Sequence, residues 1–333
     1  SLHDASHLTG KPTGEVDALL RQEAGEPKAE VLQYGPAAEN GVLFSSLVSM
    51  ANRNNGRTGM GLVMASKQLK AILVKGKGGL SVADAKALAA LSKQGARDVH
   101  QNSDVDGLYQ HGTASVVMPQ NMMGTLPTFN YNQGQFVHAE DISGERMTAT
   151  ILKERDTCYA CAVRCKRVVE INEGAYRADP LYGGAEYETL STFGSYCGVN
   201  DLAAISQANQ ICNMYGVDTI SCGATIAFAM ECFEKGIIGL KETGGLELRF
   251  GNAAAMLEAL EQIVQNRGPL GSVLSQGSAR AAAVWGNGAE TCLITVKNQE
   301  APAHMPQAKK SLAVIYAVNP FGADHQSSEH DPM

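Results

Sequence analysis

The sequence lacks any apolar run long enough to cross a membrane, and it has no basic region. Of its 333 residues, 44% are hydrophobic and 18% are charged, and no apolar segment approaches the roughly 20 residues that a bilayer-spanning helix requires. The formal charge of −7 leaves no basic face for nucleic acid, because phosphate binding needs clustered Lys and Arg. We therefore expect a globular chain of two or three domains with no nucleic-acid partner and no membrane span.

The ends of the sequence lack the features of a start and a finish. Ser1 is preceded by no initiator Met and begins no signal-peptide pattern, and Met333 ends the sequence without a tail or a helix stop. These features suggest that the chain is a piece of a longer one.

The eight cysteines do not follow the pattern of a disulfide framework. Three of them fall within eight positions, and the other five stand singly in apolar or helical segments, where buried free Cys is common. This distribution fits a reducing cytoplasm best and predicts a cytoplasmic protein.

The segment Thr157–Lys166 places three thiols close enough together to surround one inorganic centre. They belong to Cys158, Cys161 and Cys165. The spacing is compatible with an iron–sulfur cluster, a zinc site or unligated core thiols. The cluster is favoured because no second Cys-x-x-Cys unit or nearby His supplies the other half of a zinc site. The neighbouring Arg164, Lys166 and Arg167 would also offset the charge of thiolates.

The hydrophobic pattern predicts an α+β fold whose first part is β-rich and whose remainder is mainly α-helical. Strand-like runs occupy positions 42–48 and 70–74, and a Gly-rich linker near 75–79 suggests domains at 1–76 and 77–333. Helices are predicted at 14–24, 62–67, 82–94, 200–215, 223–235, 252–266 and 276–285, with Ser81 capping the third and Gly95 ending it. Repeated Gly and Pro predict long loops over 96–156, and a hairpin is predicted to pair Val168–Val169 with the region of Tyr176.

Several side chains are candidates for chemistry, each with an ordinary alternative. The loop 54–61 contains three glycines and Arg57, which suits an anion but equally suits a structural turn, and its spacing matches neither a Walker loop nor a dinucleotide motif. Glu186 and Glu188 follow the cysteine segment but are of a type that usually lies at the surface. His304 and His325 lie in predicted loops, where a single His is more often solvated than catalytic.

Taken together, the segments resemble the aldehyde:ferredoxin oxidoreductase family, which uses a tungsten- or molybdenum-pterin centre. The matching segments are 56–72, the three cysteines, 185–189, 212–221, 226–231, 244–252 and 300–304. The resemblance implies that residues 1–76 are the C-terminal part of a pterin-binding domain. It also implies oxidation of an aldehyde to a carboxylic acid, with electrons passed to ferredoxin or to an Fe–S electron-transfer subunit.

The resemblance implies a role for each site residue. Arg57, Thr58 and Gly59 would contact the pterin at its phosphate side, and Asn213 and Asp218 would lie in a pterin-binding motif. The three cysteines would hold a [4Fe–4S] cluster, while Glu188 and His325 would act as catalytic residues near the metal. A benzoyl-CoA reductase-type subunit and an electron-transfer subunit without pterin chemistry remain alternatives.

The sequence departs from the family pattern in four ways. Family chains are nearly twice as long, so the fourth cluster ligand is expected outside these residues. Asn213 replaces the first Asp of the pterin motif. The segment Ser206–Gln210 lacks the Glu and His that bind a metal between subunits in some members, although a homo-oligomer remains possible. The loop Asn319–Asp324 also differs, which predicts a different substrate pocket.

Overall fold

A computed structural model describes residues 1–327, except for the side chain of Asp104, and confirms the α+β class. The α-helices are α1 Thr13–Glu23, α2 Pro36–Glu39, α3 Met60–Ser66, α4 Ala85–Asp98, α5 Ser103–His111, α6 Val117–Met122, α7 Gly144–Thr150, α8 Tyr187–Leu190, α9 Leu202–Tyr215, α10 Thr219–Glu234, α11 Ala253–Val264, α12 Gly268–Leu274, α13 Ser278–Trp285 and α14 Lys310–Val318. The strands are β1 Glu30–Tyr34, β2 Leu47–Ser49, β3 Arg53–Asn55, β4 Ala71–Val74, β5 Leu152–Asp156, β6 Lys166–Val169, β7 Thr295–Val296 and β8 Gln299–Glu300.

An antiparallel four-stranded sheet forms the N-terminal part, in the order β3-β2-β1-β4. Leu32 of β1 pairs with Ser49 of β2 on one side and with Ile72 of β4 on the other, which fixes the register of the sheet. Val31 and Val48 are buried beneath the sheet, whereas Ile72 lies on the opposite face and is exposed. One face of this small sheet is therefore packed against the rest of the chain.

The predicted strand at 42–48 is wrong over most of its length. Only Leu47–Ser49 is a strand, because the preceding residues turn: the Ser45 hydroxyl donates to the Val42 carbonyl at 2.6 Å. The strand Glu30–Tyr34 was not predicted, because Gln33 is polar although it is fully buried. Its amide donates to the carbonyl of Thr13 at 2.7 Å.

The long loops predicted over 96–156 are also wrong. This region contains α5, α6, α7 and β5, and Gly107 lies inside α5. Val117 and Met147 are fully buried. Tertiary packing therefore stabilises short helices whose own sequences are interrupted by helix-breaking residues.

The helix predicted at 82–94 forms with shifted ends. Asp84, rather than Ser81, caps it by accepting a hydrogen bond from the Ala87 amide at 2.8 Å. The helix continues through Gly95 to Asp98. Gly95 has open space around it, so a glycine is tolerated there and does not end the helix.

The hairpin around Val168 pairs differently from the prediction. Strand β6 pairs with β5 on its N-terminal side, and only an isolated bridge between Ile171 and Ala178 joins the segment that follows. Consequently, the cysteine segment is the connection between β5 and β6. The hairpin holds both ends of this connection.

The helical core surrounds α10, whose N-terminus is capped by Asp218 through the amides of Ile220 at 3.0 Å and Ser221 at 3.2 Å. Thirteen of its 16 residues are buried, including Phe228 and Met230. An apolar helix of this kind is central and not at a surface. Within residues 1–327, no helix combines the length and apolar character needed to cross a bilayer.

Candidate active site

Three ionisable side chains from distant segments meet in the interior. Glu188 lies in α8, His304 in the loop after β8, and His325 beyond α14. The carboxylate atom Oε1 of Glu188 lies 3.2 Å from Nε2 of His304 and 3.9 Å from Nε2 of His325. The two imidazole rings stack with their centroids 5.2 Å apart. The structure thus brings together the two predicted catalytic residues and adds His304.

Four tyrosine hydroxyls hold the loop that carries His304. They donate to four consecutive carbonyls: Tyr196 to Ala301, Tyr131 to Pro302, Tyr187 to Ala303 and Tyr316 to His304. Burial raises the pKa of all four tyrosines, so they remain neutral donors at physiological pH. The same loop contacts the acid directly, because the Ala303 amide donates to Oε2 of Glu188 at 2.8 Å.

Glu188 is ionised although it is buried. Burial alone would raise its pKa, but the charge of His325, the contact with His304 and the Ala303 amide lower the pKa to about 2. Oε1 has no well-aligned hydrogen-bond donor within residues 1–327, even though His304 is near. A buried, ionised carboxylate oxygen without an aligned donor can accept a proton or a hydrogen bond from a bound molecule.

His304 is held neutral. Burial lowers its pKa, and the charges of Lys309 and His325 add to this effect against the opposing carboxylate of Glu188. The Lys309 ammonium lies 3.0 Å from Nδ1 of the ring. His304 is therefore buried and polar, which corrects the expectation that a loop His is solvated.

Arg57 links this site to the predicted pterin motif. Its guanidinium donates to the Asp218 carboxylate at 3.1 Å, and to the carbonyls of Ala323 and Glu300, each at 2.7 Å. Burial would lower the pKa of Arg57, but the carboxylates of Asp218, Glu300 and Glu188 raise it. Arg57 thus connects the N-terminal loop with α10 and with the segments that precede His304 and His325.

The other predicted pterin contacts lie around the same loop. Thr58 and Gly59 both have left-handed backbones, with φ of 73° and 74°, and Gly59 precedes α3. Asn213 is in the last turn of α9, where its amide donates to the Tyr182 carbonyl at 2.8 Å and its oxygen accepts from Asn54. Gly59 thus lies in the same loop as Arg57. Asn213 is held between Tyr182 and Asn54.

The three cysteines share the β5–β6 connection. Cys158 and Cys161 are exposed and Cys165 is half-buried. Burial raises the pKa of Cys165, and so do the charges of Glu186 and of the two other thiols. Three thiols on one loop, two of them exposed, suit a centre that is completed by a ligand from elsewhere.

Glu186 joins the cysteine connection to the acid site. Its carboxylate accepts hydrogen bonds from Lys166 at 2.8 Å and from Thr113 at 2.6 Å. Because Glu186 is two residues before Glu188, the ion pair between Lys166 and Glu186 holds the start of β6, next to Cys165, beside α8. An open cleft near residues 1–9 and 68–73 shares no lining residue with either group.

Comparison with known proteins decides the family. The family model described as aldehyde ferredoxin oxidoreductase, domains 2 and 3, matches residues 90–332, and the N-terminal-domain model of the same family matches residues 1–76. The chain belongs to the aldehyde ferredoxin oxidoreductase family. It is 37% identical over 329 residues to the tungsten-containing aldehyde ferredoxin oxidoreductase of Thermococcus kodakarensis, covering 97% of this chain and 53% of that protein.

Other relatives show the same partial coverage. The corresponding Pyrococcus furiosus enzyme is 36% identical over 329 residues, which are 97% of this chain and 53% of that protein. The WOR-like subunit of an aliphatic sulfonate oxidoreductase from the same organism is 27% identical, over 94% of this chain and 51% of that subunit. This family member therefore spans about half the length of the curated relatives it matches.

A solved structure shares the fold. The benzoyl coenzyme A reductase active-site complex BamBC, in complex with 1,5-dienoyl-CoA, superposes with a TM-score of 0.71 and 25% identity. The match covers 96% of this chain and 49% of that chain. The family and the fold are those of oxidoreductases.

Proposed function

We propose that this chain contributes acid–base and metal-binding residues to an enzyme that oxidises aldehydes to carboxylic acids. The observation that carries the proposal is Glu188, a buried, ionised carboxylate whose Oε1 lacks an aligned donor in the described part of the chain and faces two imidazoles. The tungsten-containing relatives, 37% and 36% identical, support a tungsten- or molybdenum-pterin centre beside it.

The residues around Glu188 suit a bound metal-pterin group. When bound, that group accepts the two electrons of the aldehyde, and the protein supplies position and electrostatics. The oxidation takes up one water, whose oxygen enters the carboxylic acid, and it releases two electrons and two protons. Glu188, an ionised carboxylate, accepts one of these protons, the other leaves to solvent, and His325 completes the acid–base group.

The proposed pterin contacts fall into two kinds. Thr58 and Gly59 offer backbone groups of a left-handed turn, the conformation in which successive amides form an anion-binding concavity. Arg57 and Asp218 are bonded to each other and support that turn. Asn213 replaces an acid in the family motif and is the remaining proposed contact.

Electron exit is proposed to use the thiols of Cys158, Cys161 and Cys165. As thiolates they would hold three irons of a [4Fe–4S] cluster, with the fourth ligand supplied from outside this chain. The basic residue Arg164 lies in the same connection, and Lys166 begins β6 directly after it. Ferredoxin, or an Fe–S electron-transfer subunit, would then receive the electrons.

The test is Glu188→Gln in the complete holoenzyme, with Glu173→Gln at an exposed position as the control. General-base removal is expected to reduce aldehyde turnover by about 10²–10⁴-fold, while tungsten or molybdenum and iron contents stay unchanged. Unchanged turnover with full metal content would remove Glu188 from the mechanism.

A second candidate is the reduction of an aromatic ring carried on coenzyme A. It is favoured by one observation, the TM-score of 0.71 to the benzoyl coenzyme A reductase complex. Assaying the holoenzyme with an aldehyde and, separately, with a cyclic dienoyl-CoA distinguishes the two. We expect turnover with the aldehyde, and turnover with the dienoyl-CoA alone would establish the second candidate instead.

A further inference from the structure

Lys309 and His304 lie on the same turn beside Glu188. The turn is closed by the Lys309 amide, which donates to the Met305 carbonyl at 3.0 Å, and by Tyr316, whose hydroxyl holds the His304 carbonyl at 3.1 Å. Lys309 immediately precedes α14. Both ring nitrogens of His304 therefore face defined groups: Nδ1 faces the Lys309 ammonium at 3.0 Å, and Nε2 faces the Glu188 carboxylate at 3.2 Å.

We propose that Lys309 is a positioning residue that holds His304 as the neutral Nε2–H tautomer, so that His304 offers a fixed donor to Oε1 of Glu188. The proposal rests on the proposed function, in which Glu188 accepts a proton. It assigns a role to two residues outside the predicted catalytic pair.

The tautomer of His304 follows from the hydrogen-bond donors and acceptors that its two ring nitrogens face. A lysine ammonium has three donors and no acceptor, so Nδ1 of His304 must present its lone pair to Lys309. A neutral imidazole carries one proton, which must then be on Nε2. That proton lies on the side of Glu188, although the contact is not well aligned in the free site. Catalytic hydrogen bonds commonly tighten only when substrate is bound.

The ammonium beside Nδ1 of His304 also argues against a divalent cation bound through this histidine. Atoms of Glu188, His304 and His325 lie within 4.8 Å of one another, a composition that could hold a metal. A histidine that binds a metal through one nitrogen almost always donates its other N–H to an acceptor. Nδ1 of His304 instead faces an ammonium. Glu188, His304 and His325 therefore suit proton transfer better than they suit metal binding.

Several other charged or titratable groups act on Glu188. They are Arg57, His325 and the tyrosines at 131, 187, 196 and 316. Within residues 1–327, the Lys309 ammonium contacts Nδ1 of His304 at 3.0 Å. Removing its charge would let His304 accept a second proton and pair as a cation with Glu188, which would lower the basicity of the carboxylate.

The first readout is the tautomer itself. In the oxidised holoenzyme labelled with 15N-histidine, the chemical shifts of the ring nitrogens distinguish the tautomers. With eight histidines in the chain, His304 is assigned by the signals that His304→Gln removes. We expect the Nε2–H form in the wild type and in Lys309→Arg, and a mixture in Lys309→Met. An Nδ1–H form in the wild type would overturn the proposal.

The second readout is the pH profile of kcat/KM. Lys309→Met is expected to move the acid limb to higher pH by roughly one unit, because His304 becomes easier to protonate. Lys309→Arg should show the wild-type pH profile. Lys310→Met, at an exposed neighbouring lysine, should also show the wild-type profile. A Lys309→Met profile that superposes on the wild type would contradict the proposal.

The two proposals fail in different ways. If Glu188→Gln leaves turnover unchanged, the proposed function fails, whereas the 15N spectra still decide the tautomer of His304. If the spectra show no dependence on Lys309 while Glu188→Gln abolishes turnover, only the role of Lys309 fails.

Discussion

Glu188 and His304 share one site, and burial opposes the charged form of each. Burial would raise the pKa of the carboxyl and lowers that of the imidazole, but only Glu188 has enough favourable partners to remain charged. A neutral imidazole that donates a hydrogen bond lowers the basicity of a carboxylate less than an imidazolium cation does. The difference between the two residues is therefore what makes the pair useful for proton transfer.

The lowered pKa of His304 predicts how stability depends on pH. Between pH 7 and 5 an unfolded His takes up a proton near its ordinary pKa of about 6.5, while folded His304 resists protonation. The unfolded state then binds more protons, so the free energy of unfolding falls as the pH falls, by at most about 1.4 kcal/mol per pH unit for this residue.

Urea unfolding of the chain at several pH values tests this expectation. His304→Gln should show a shallower loss of stability between pH 7 and 5 than the wild type, and His3→Gln, at an exposed position, should show the wild-type slope. Equal slopes in the wild type and His304→Gln would show that His304 protonates as readily in the folded state as in the unfolded state.

At the scale of elements, the site is assembled by a few contacts between distant segments. Arg57, in the loop before α3, donates to the carbonyls of Glu300 and Ala323 and pairs with Asp218 at the start of α10. Breaking a buried ion pair by removing one partner typically costs about 3–5 kcal/mol. The positions of the loops that carry His304 and His325 thus depend on the N-terminal loop that precedes α3.

The turn that carries Arg57 depends on a glycine whose replacement is predicted to be costly. At Gly59, φ is 74° and an added Cβ would lie 2.3 Å from the Leu43 carbonyl oxygen. We expect Gly59→Ala to lower the free energy of unfolding by more than about 2 kcal/mol, because the turn must shift and the left-handed backbone disfavours a side chain.

Gly56 in the same loop is a matched control. An added Cβ there would be 3.8 Å from the nearest atom, an oxygen of Asp218, which is an ordinary contact. Gly56→Ala should change the free energy of unfolding by no more than about 0.5 kcal/mol in denaturant titrations. Equal effects of the two substitutions would show that the turn tolerates a side chain at position 59.

At the scale of the whole molecule, the features that were predicted correctly from the sequence are those with strong local signals. The α+β class, the predicted helices that became α1, α9, α10 and α11, and the loop around His304 follow from periodicity and capping residues such as Asp201, whose carboxylate accepts from the Ala203 amide at 2.9 Å. Family membership followed from several short motifs together. Each of these features depends on neighbours in the sequence.

The features that the sequence could not predict depend on contacts between remote residues. The Ala303 amide and Glu188 are 115 positions apart, and nothing near either residue indicates that they meet. Strand β1 was missed because its buried Gln33 breaks the apolar pattern. The burial of His304 and its contact with Lys309 likewise required the folded chain.

The division of the chain into functional parts remains a prediction. Residues 1–76 are expected to complete a pterin-binding domain, and residues 77–333 to carry the thiols and the acid–base group. Since the chain spans 53% of its tungsten-containing relatives, the other half of the pterin site and the fourth cluster ligand are proposed to lie in sequence that this chain does not contain.

Metal and pterin analysis of the complete protein, purified without oxygen, tests the central claim most directly. The account predicts tungsten or molybdenum together with pterin, and about four irons per polypeptide, as a [4Fe–4S] cluster requires. Iron without tungsten, molybdenum or pterin would indicate an electron-transfer subunit instead. Zinc as the sole metal would contradict both the cluster at Cys158, Cys161 and Cys165 and the pterin chemistry beside Glu188.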